Sequence, residues 1–223
     1  MSRPLKPIAT NATGTSRVDD VVVDGAAAVE VAWRGCGGFD HHFDLLPDGC
    51  IDIVFERGAL LVLVPALERR RARVEAQARI VGVRIRCGWG AAVLGRSLAG
   101  FAGHKRPLTA FWGTAALEFS QNLARLADDR ERALALAGHV EARLQRRVRP
   151  PTSLLDFIQS VSADDHIVDR PVTSRALYDS CMRHVAVAPA ALRRLMRFQA
   201  FLGQLPKAVE ARAIRGRSSS PQR

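Results

Sequence analysis

Between residues 21 and 86 the apolar positions recur every second residue. Val29, Val31 and Trp33 alternate with Glu30, Ala32 and Arg34, the period of a strand with one buried face. Gly35, Gly37 and Gly38 follow as turn residues. Leu46-Pro47-Asp48-Gly49 is a turn by its chemistry, because proline fixes φ and glycine accepts a positive one. Ile51, Ile53 and Phe55 then alternate with Asp52 and Val54. Gly58 breaks the run, and residues 60–64 read as a buried strand. Residues 69–79 alternate loosely about Val74. Ile80, Val81, Val83 and Ile85 form a last strand, with Arg84 and Arg86 on its polar side. Five or six short strands with Gly/Pro turns predict an antiparallel sheet or a small barrel, a cupin-like barrel being one such form. The expected core is Val31, Trp33, Ile51, Ile53, Phe55, Val62, Val81, Val83 and Ile85.

After Gly88 the period lengthens. Residues 90–95 and 97–101 read as short helical turns. Phe111, Ala115, Phe119 and Leu123 stand at steps of four and predict one amphipathic helix over 109–126. Asp128 is placed to cap a further helix to about residue 147, with Leu134, Leu136, Val140 and Leu144 inward. Arg149-Pro150-Pro151-Thr152 marks a junction, since two prolines stop a helix. Beyond it the pattern is helical: a short helix over 153–161, then the polar stretch 162–170 ending at Pro171. Thr173 is the expected N-cap of a helix running to about residue 184. Pro189 opens another, with Leu192, Leu195, Met196, Phe198 and Leu202 as its packing side. The chain thus reads as α+β, with an N-terminal antiparallel sheet and packed helices followed by a small all-α domain. The segments are a flexible arm (1–19), a β-rich domain (20–148), a helical domain (152–206) and a basic disordered tail (207–223).

Composition sharpens this picture in one respect. The 223 residues include 33 Lys+Arg and 22 Asp+Glu, a net charge of +11. From residue 183 onward there are nine basic residues and one acid, Glu210, so +8 of that charge lies in the last 41 positions. A concentrated basic end attracts polyanions, nucleic acid first among them. A solvated helix face with a basic tail has the same composition. No run approaches 18 apolar residues, which argues against a membrane span, and residues 1–20 lack the apolar core of a secretory signal. The expected compartment is the cytoplasm.

The chemistry-bearing residues offer little sign of catalysis. Cys36, Cys50, Cys87 and Cys181 are separated by 14, 37 and 94 residues, with no CxxC pair, and read as reduced thiols acting as small apolar groups. His41, His42, Asp44, Asp48, Cys50 and Asp52 include metal-ligand types. Adjacent histidines on a strand face opposite sides, so no metal site is expected. Asp48 is assigned to the turn and Asp52 to a strand edge, not to a catalytic pair. No GxSxG, P-loop, GxGxxG or HExxH pattern occurs. Neither an enzyme nor a cofactor is expected.

Two blocks carry a family resemblance. The first is Leu46-Pro47-Asp48-Gly49-Cys50-Ile51-Asp52-Ile53-Val54-Phe55, then Val81-Gly82-Val83-Arg84-Ile85-Arg86, Gly90-Ala91-Ala92-Val93-Leu94-Gly95 and Phe111-Trp112-Gly113. It resembles, over roughly residues 27–147, the domain of uncharacterised function that often precedes an AraC/XylS-type DNA-binding domain in bacteria. The second is Val172-Thr173-Ser174-Arg175-Ala176-Leu177, then Arg183-His184-Val185-Ala186-Val187-Ala188-Pro189 and Leu192-Arg193-Arg194-Leu195-Met196-Arg197-Phe198-Gln199. It is similar to the second half of the first helix-turn-helix of an AraC-type domain and the linker helix after it. The order of the blocks matches the family. The sequence departs from the pattern in an acidic segment at 162–170, in Pro171, in Cys181 where the family has Phe, and in Ala186 where it has Gly. A second helix-turn-helix is missing, as expected of a truncated regulator.

The resemblance implies a DNA-binding transcriptional regulator with an N-terminal ligand-sensing or dimerisation domain. Its DNA-facing residues would be Thr173, Arg175, Tyr178 and Asp179 on the recognition helix and Arg193, Arg194 and Arg197 on the linker helix. Arg175 suits guanine O6/N7, and Tyr178 a thymine methyl or a phosphate. Asp179 would repel phosphate. The implied partners are DNA, held weakly or nonspecifically, a small-molecule effector and a second copy of the chain. The alternative is a remnant that does not bind DNA, a ligand-binding or oligomerising β-domain with a degraded helical tail.

Overall fold

The computed structural model describes residues 17–36, 41–144, 149–163 and 174–204. The arm before residue 17, Thr173 and the tail from 205 lie outside these, as does the acidic segment beyond residue 163 with Pro171. The order is β1 (Arg17–Val21), β2 (Val29–Cys36), β3 (His41–Leu45), β4 (Ile51–Glu56), β5 (Ala59–Leu63), β6 (Arg70–Val74) and β7 (Arg79–Ile85), then α1 (Gly90–Leu94) and β8 (Lys105–Pro107). Six helices follow: α2 (Thr109–Trp112), α3 (Thr114–Arg125), α4 (Asp129–Leu144), α5 (Thr152–Ala163), α6 (Arg175–Val185) and α7 (Pro189–Gln204). The fold is α+β. Six antiparallel strands run in the order β1-β2-β7-β4-β5-β8, and β3 pairs with β6 in a separate ribbon. Three strands depart from the sequence pattern. The sheet begins at Arg17, inside the expected arm, His41–Leu45 pairs with β6 where no strand was expected, and Lys105–Pro107 adds an edge strand to β5.

Most of the expected core is buried, but on two sides of the sheet. Ala32, Val83, Ile53 and Val62 are cross-strand neighbours on the face that α3 and α4 cover. The register of β2 on β7 shifts between Val29 and Val31. A one-residue slip moves every later side chain to the other face. Val31 and Trp33 therefore lie on the second face of the sheet, while Val29 and Ala32 join the helix-covered core. Trp33 is only half-buried and lies over Gly82, where any Cβ would collide with its ring. Glu141 of α4 fixes the shifted strand start, accepting the N–H groups of Ala27, Ala28 and Val29 at 3.1, 2.8 and 2.7 Å.

The helix expected over 109–126 is two helices. Gly113 has φ 61° and ψ −142°, a conformation that only glycine adopts without strain, and the chain turns there. Trp112 is buried just before the break. Its indole N–H donates to the Val93 carbonyl at 3.3 Å and ties α2 to α1. Asp128 caps α4 as expected, accepting the Glu131 N–H at 3.1 Å.

Beyond Pro151, α5, α6 and α7 enclose a second core of Leu154, Val161, Cys181, Val185, Val187, Leu192, Leu195 and Met196. The two cores touch. Ala186, at the end of α6, is packed into the first. The expected packing side of α7 needs one correction. Leu192, Leu195, Met196 and Leu202 are buried, but Phe198 is 39% exposed and Gln199 is buried instead. Steps of three and four from Leu192 lead through Leu195 and Met196 to Gln199 and Leu202, so position 198 falls off that stripe.

Candidate functional site

Two arrangements stand out, one on the helices and one on the second face of the sheet. The first starts from Ser174. Its backbone is extended, and its side chain accepts the Leu177 N–H at 3.4 Å. Ser174 is therefore the N-cap of α6 among the described residues, one position after the expected Thr173, and serine satisfies this role as well as threonine does. Cys181, His184 and Val185 turn inward. Arg175, Tyr178 and Asp179 turn outward, with Arg175 at 95% side-chain exposure and Tyr178 at 49%. The structure brings Arg175 and Asp179 together, Nε to carboxylate oxygen, at 3.9 Å across one helical turn. On α7, Arg194 and Arg197 are exposed. Arg193 is half-buried, with its guanidinium 5.9 Å from the centre of the Phe157 ring of α5. It is committed to packing, unlike the other two arginines.

The second arrangement comes from the loop before β4. Gly49 has φ +75°, as its place in the turn predicts. A Cβ there would stand 2.8 Å from the Met196 methyl and 3.4 Å from a Leu192 methyl. The Pro47 carbonyl accepts the Gln199 side-chain N–H. This loop is thus seated on α7. Asp48 closes the turn by accepting the Cys50 N–H at 2.9 Å, and its other oxygen reaches Arg84 at 2.9 Å. Asp52 and Arg84 are direct cross-strand partners on β4 and β7. The guanidinium grips Asp52 through two bonds of 3.1 and 3.0 Å.

Arg84 is only 3% exposed. The sequence reading of it as a polar-side residue, and of Asp52 as an edge residue, is overturned, because β4 lies between β7 and β5 in the sheet interior. A buried guanidinium is tolerated only when its donors are met. Burial works against its charge, but Asp52 and then Asp48 hold the Arg84 pKa well above its ordinary value. Asp48 goes the other way. Burial raises its pKa to about 6, against the pull of Arg84, and the nearby Asp52 adds to the rise. Glu30 is likewise raised by burial, and it accepts the Cys50 thiol at 3.7 Å. Burial also pushes up the thiols of Cys50 and Cys87, and that of Cys181 to about 11. All four cysteines are free, and these three are held as neutral thiols.

A cavity of about 80 Å³ lies beside this cluster, bordered by Asp48, Asp52, Arg84, Arg70, His104 and Lys105. It is smaller than the roughly 300–1,000 Å³ of most ligand pockets. Among the described residues no three His, Cys, Asp or Glu side chains stand together as a metal would need, and no helix is long and apolar enough to cross a membrane.

Comparisons with protein-family models, with curated proteins and with solved structures find no match. Sequence pattern found the outward face of α6, where helical period and a cap suffice. It missed the Arg84 cluster, whose signal was an Asp and an Arg each alternating with apolar neighbours on separate strands. Only their register makes them partners.

Proposed function

We propose that the chain is a DNA-binding transcriptional regulator of the AraC type, with the sheet domain as its sensing or dimerisation part. The observation that carries this reading is α6. It is capped at Ser174, packed through Cys181 and Val185, and presents Arg175 and Tyr178 from its first two turns, just ahead of the most basic part of the chain. A recognition helix reads base edges with residues of this kind near its N-terminal end. Arg175 would take guanine O6/N7 after releasing Asp179, and the exposed Arg194 and Arg197 would meet phosphates. The loop on α7 gives the sheet domain a direct grip on the helices. A small-molecule effector, a second copy of the chain and a cytoplasmic setting belong to this proposal.

A second reading is favoured by a specific feature. Asp179 pairs with Arg175 and places a carboxylate on the outward face, where phosphate would be repelled. This fits a β-domain whose helices have lost DNA recognition. Selection of duplexes from a random-sequence pool, followed by gel shifts at about 50 and 200 mM salt with competitor DNA, separates the two. A regulator enriches one sequence and retains it at the higher salt. Arg175→Ala should weaken that complex by about 1–3 kcal/mol. Uniform recovery of sequences, with binding abolished by salt, supports the second reading.

A further inference from the structure

Where α6 docks on the sheet domain, a cleft of about 570 Å³ opens between α1 and the C-terminal half of α6. Arg96 beyond α1, Arg149 at the junction and Arg183 of α6 border it, together with Asp179, Ser180 and the buried His184. The seat is fixed on both sides. The Leu98 N–H donates to the Arg183 carbonyl at 2.8 Å, and His184 hydrogen-bonds to the backbone of Gly88. Three guanidiniums and one carboxylate leave the walls with an excess of two positive charges. Among the described residues none of the three arginines forms an ion pair. Arg96 makes only a long bond of 3.4 Å to the Ala110 carbonyl and lies over the Phe101 ring. His184 is 8% exposed, and its Nδ1 has no hydrogen-bond partner. Converging cations around a concavity of metabolite size are what an anion site requires.

We propose that this cleft binds a compact organic dianion, a phosphate ester or a polycarboxylate, held between Arg96, Arg149 and Arg183. Two negative charges neutralise the excess on the walls, and guanidinium forks suit either oxyanion. The Ser180 hydroxyl and Asp179 would take hydroxyl or amino groups of the same molecule. Because Arg96 lies on the first domain and Arg183 on α6, the occupant would bridge the two cores and hold α6 in place. The binding itself does not depend on the DNA-binding reading.

The test is calorimetric titration of the full chain with pyrophosphate and, separately, with citrate. One saturable site is expected, and the tighter probe tells phosphate from carboxylate. Arg149→Gln and Arg183→Gln should each weaken binding by about tenfold or more, the loss of one charge-assisted contact. Asp179→Asn should tighten it. Arg130→Gln, an exposed change on α4, should leave it unchanged. Arg130, Arg149, Asp179 and Arg183 are all exposed, so these changes leave both cores intact. Absence of saturable binding by either probe overturns the proposal. So does an equal loss in Arg130→Gln, which would mean diffuse attraction. A short DNA duplex that displaces the anion, and itself loses affinity in Arg183→Gln, would assign the cleft to nucleic acid instead.

Discussion

Arg84 with Asp52, and Arg175 with Asp179, join the same two groups in opposite surroundings. The first pair spans two neighbouring strands, is bidentate and lies inside the protein, with Asp48 as a second acceptor. The second lies on one turn of a helix at 3.9 Å, in water. Desolvation makes the difference. Inside, each group depends on the other, because an unpaired buried charge is far more costly than the pair. Outside, water replaces the partner at almost no cost. The inner pair is therefore architecture, and it fixes the Leu46–Cys50 loop that sits on α7. The outer pair can be exchanged for a ligand.

The largest expected effect follows from breaking the inner pair. Arg84→Met should cost about 3–5 kcal/mol in urea unfolding, and adding Asp48→Asn and Asp52→Asn should return part of it. A loss below about 1 kcal/mol would mean that the cluster is not desolvated. Next comes its pH response. Asp48 has a folded pKa of about 6, above the ordinary 3.8. Between these values the folded state binds more protons than the unfolded one, so this group's contribution is complete at low pH and is lost as pH rises to about 6. Asp48→Asn removes that slope. Its stability relative to the parent should rise between about pH 4 and 6 and level off above, as read from urea midpoints.

Smaller again is the loop's seat on α7. Gly49→Ala forces a side chain into φ +75° and against the Met196 methyl. About 1–2 kcal/mol is expected from the backbone alone. Met196→Ala in the same background should relieve only the steric remainder, and a double-mutant cycle measures it. If the cycle shows no coupling, the loop does not bear on α7. The smallest effect belongs to the outer pair. Arg175→Ala should change unfolding stability by no more than about 0.5 kcal/mol, against a large loss for Arg84. Equal losses would erase the distinction between the pairs.

The elements themselves were largely legible in the sequence. Period-two alternation, the Pro47–Gly49 turn, the Asp128 cap and the break at Pro150-Pro151 are local, and local sterics and hydrogen bonds decide them. The outward placement of Arg175, Tyr178 and Asp179 followed from helical period alone. The misreadings were those of partnership. Trp33 changed faces because a register shift in β2 re-aims every later residue, and position 113 broke a helix whose apolar spacing ran on through it. Phe198 gave its inward place to Gln199, which meets a carbonyl 152 positions away in the chain. Asp52 and Arg84 became a buried pair only when β4 and β7 lay side by side. The sequence by itself determined most of the strands and helices and where the basic charge gathers. The tertiary structure alone decided which charges are desolvated, because burial and cross-strand register depend on contacts between residues far apart in the chain.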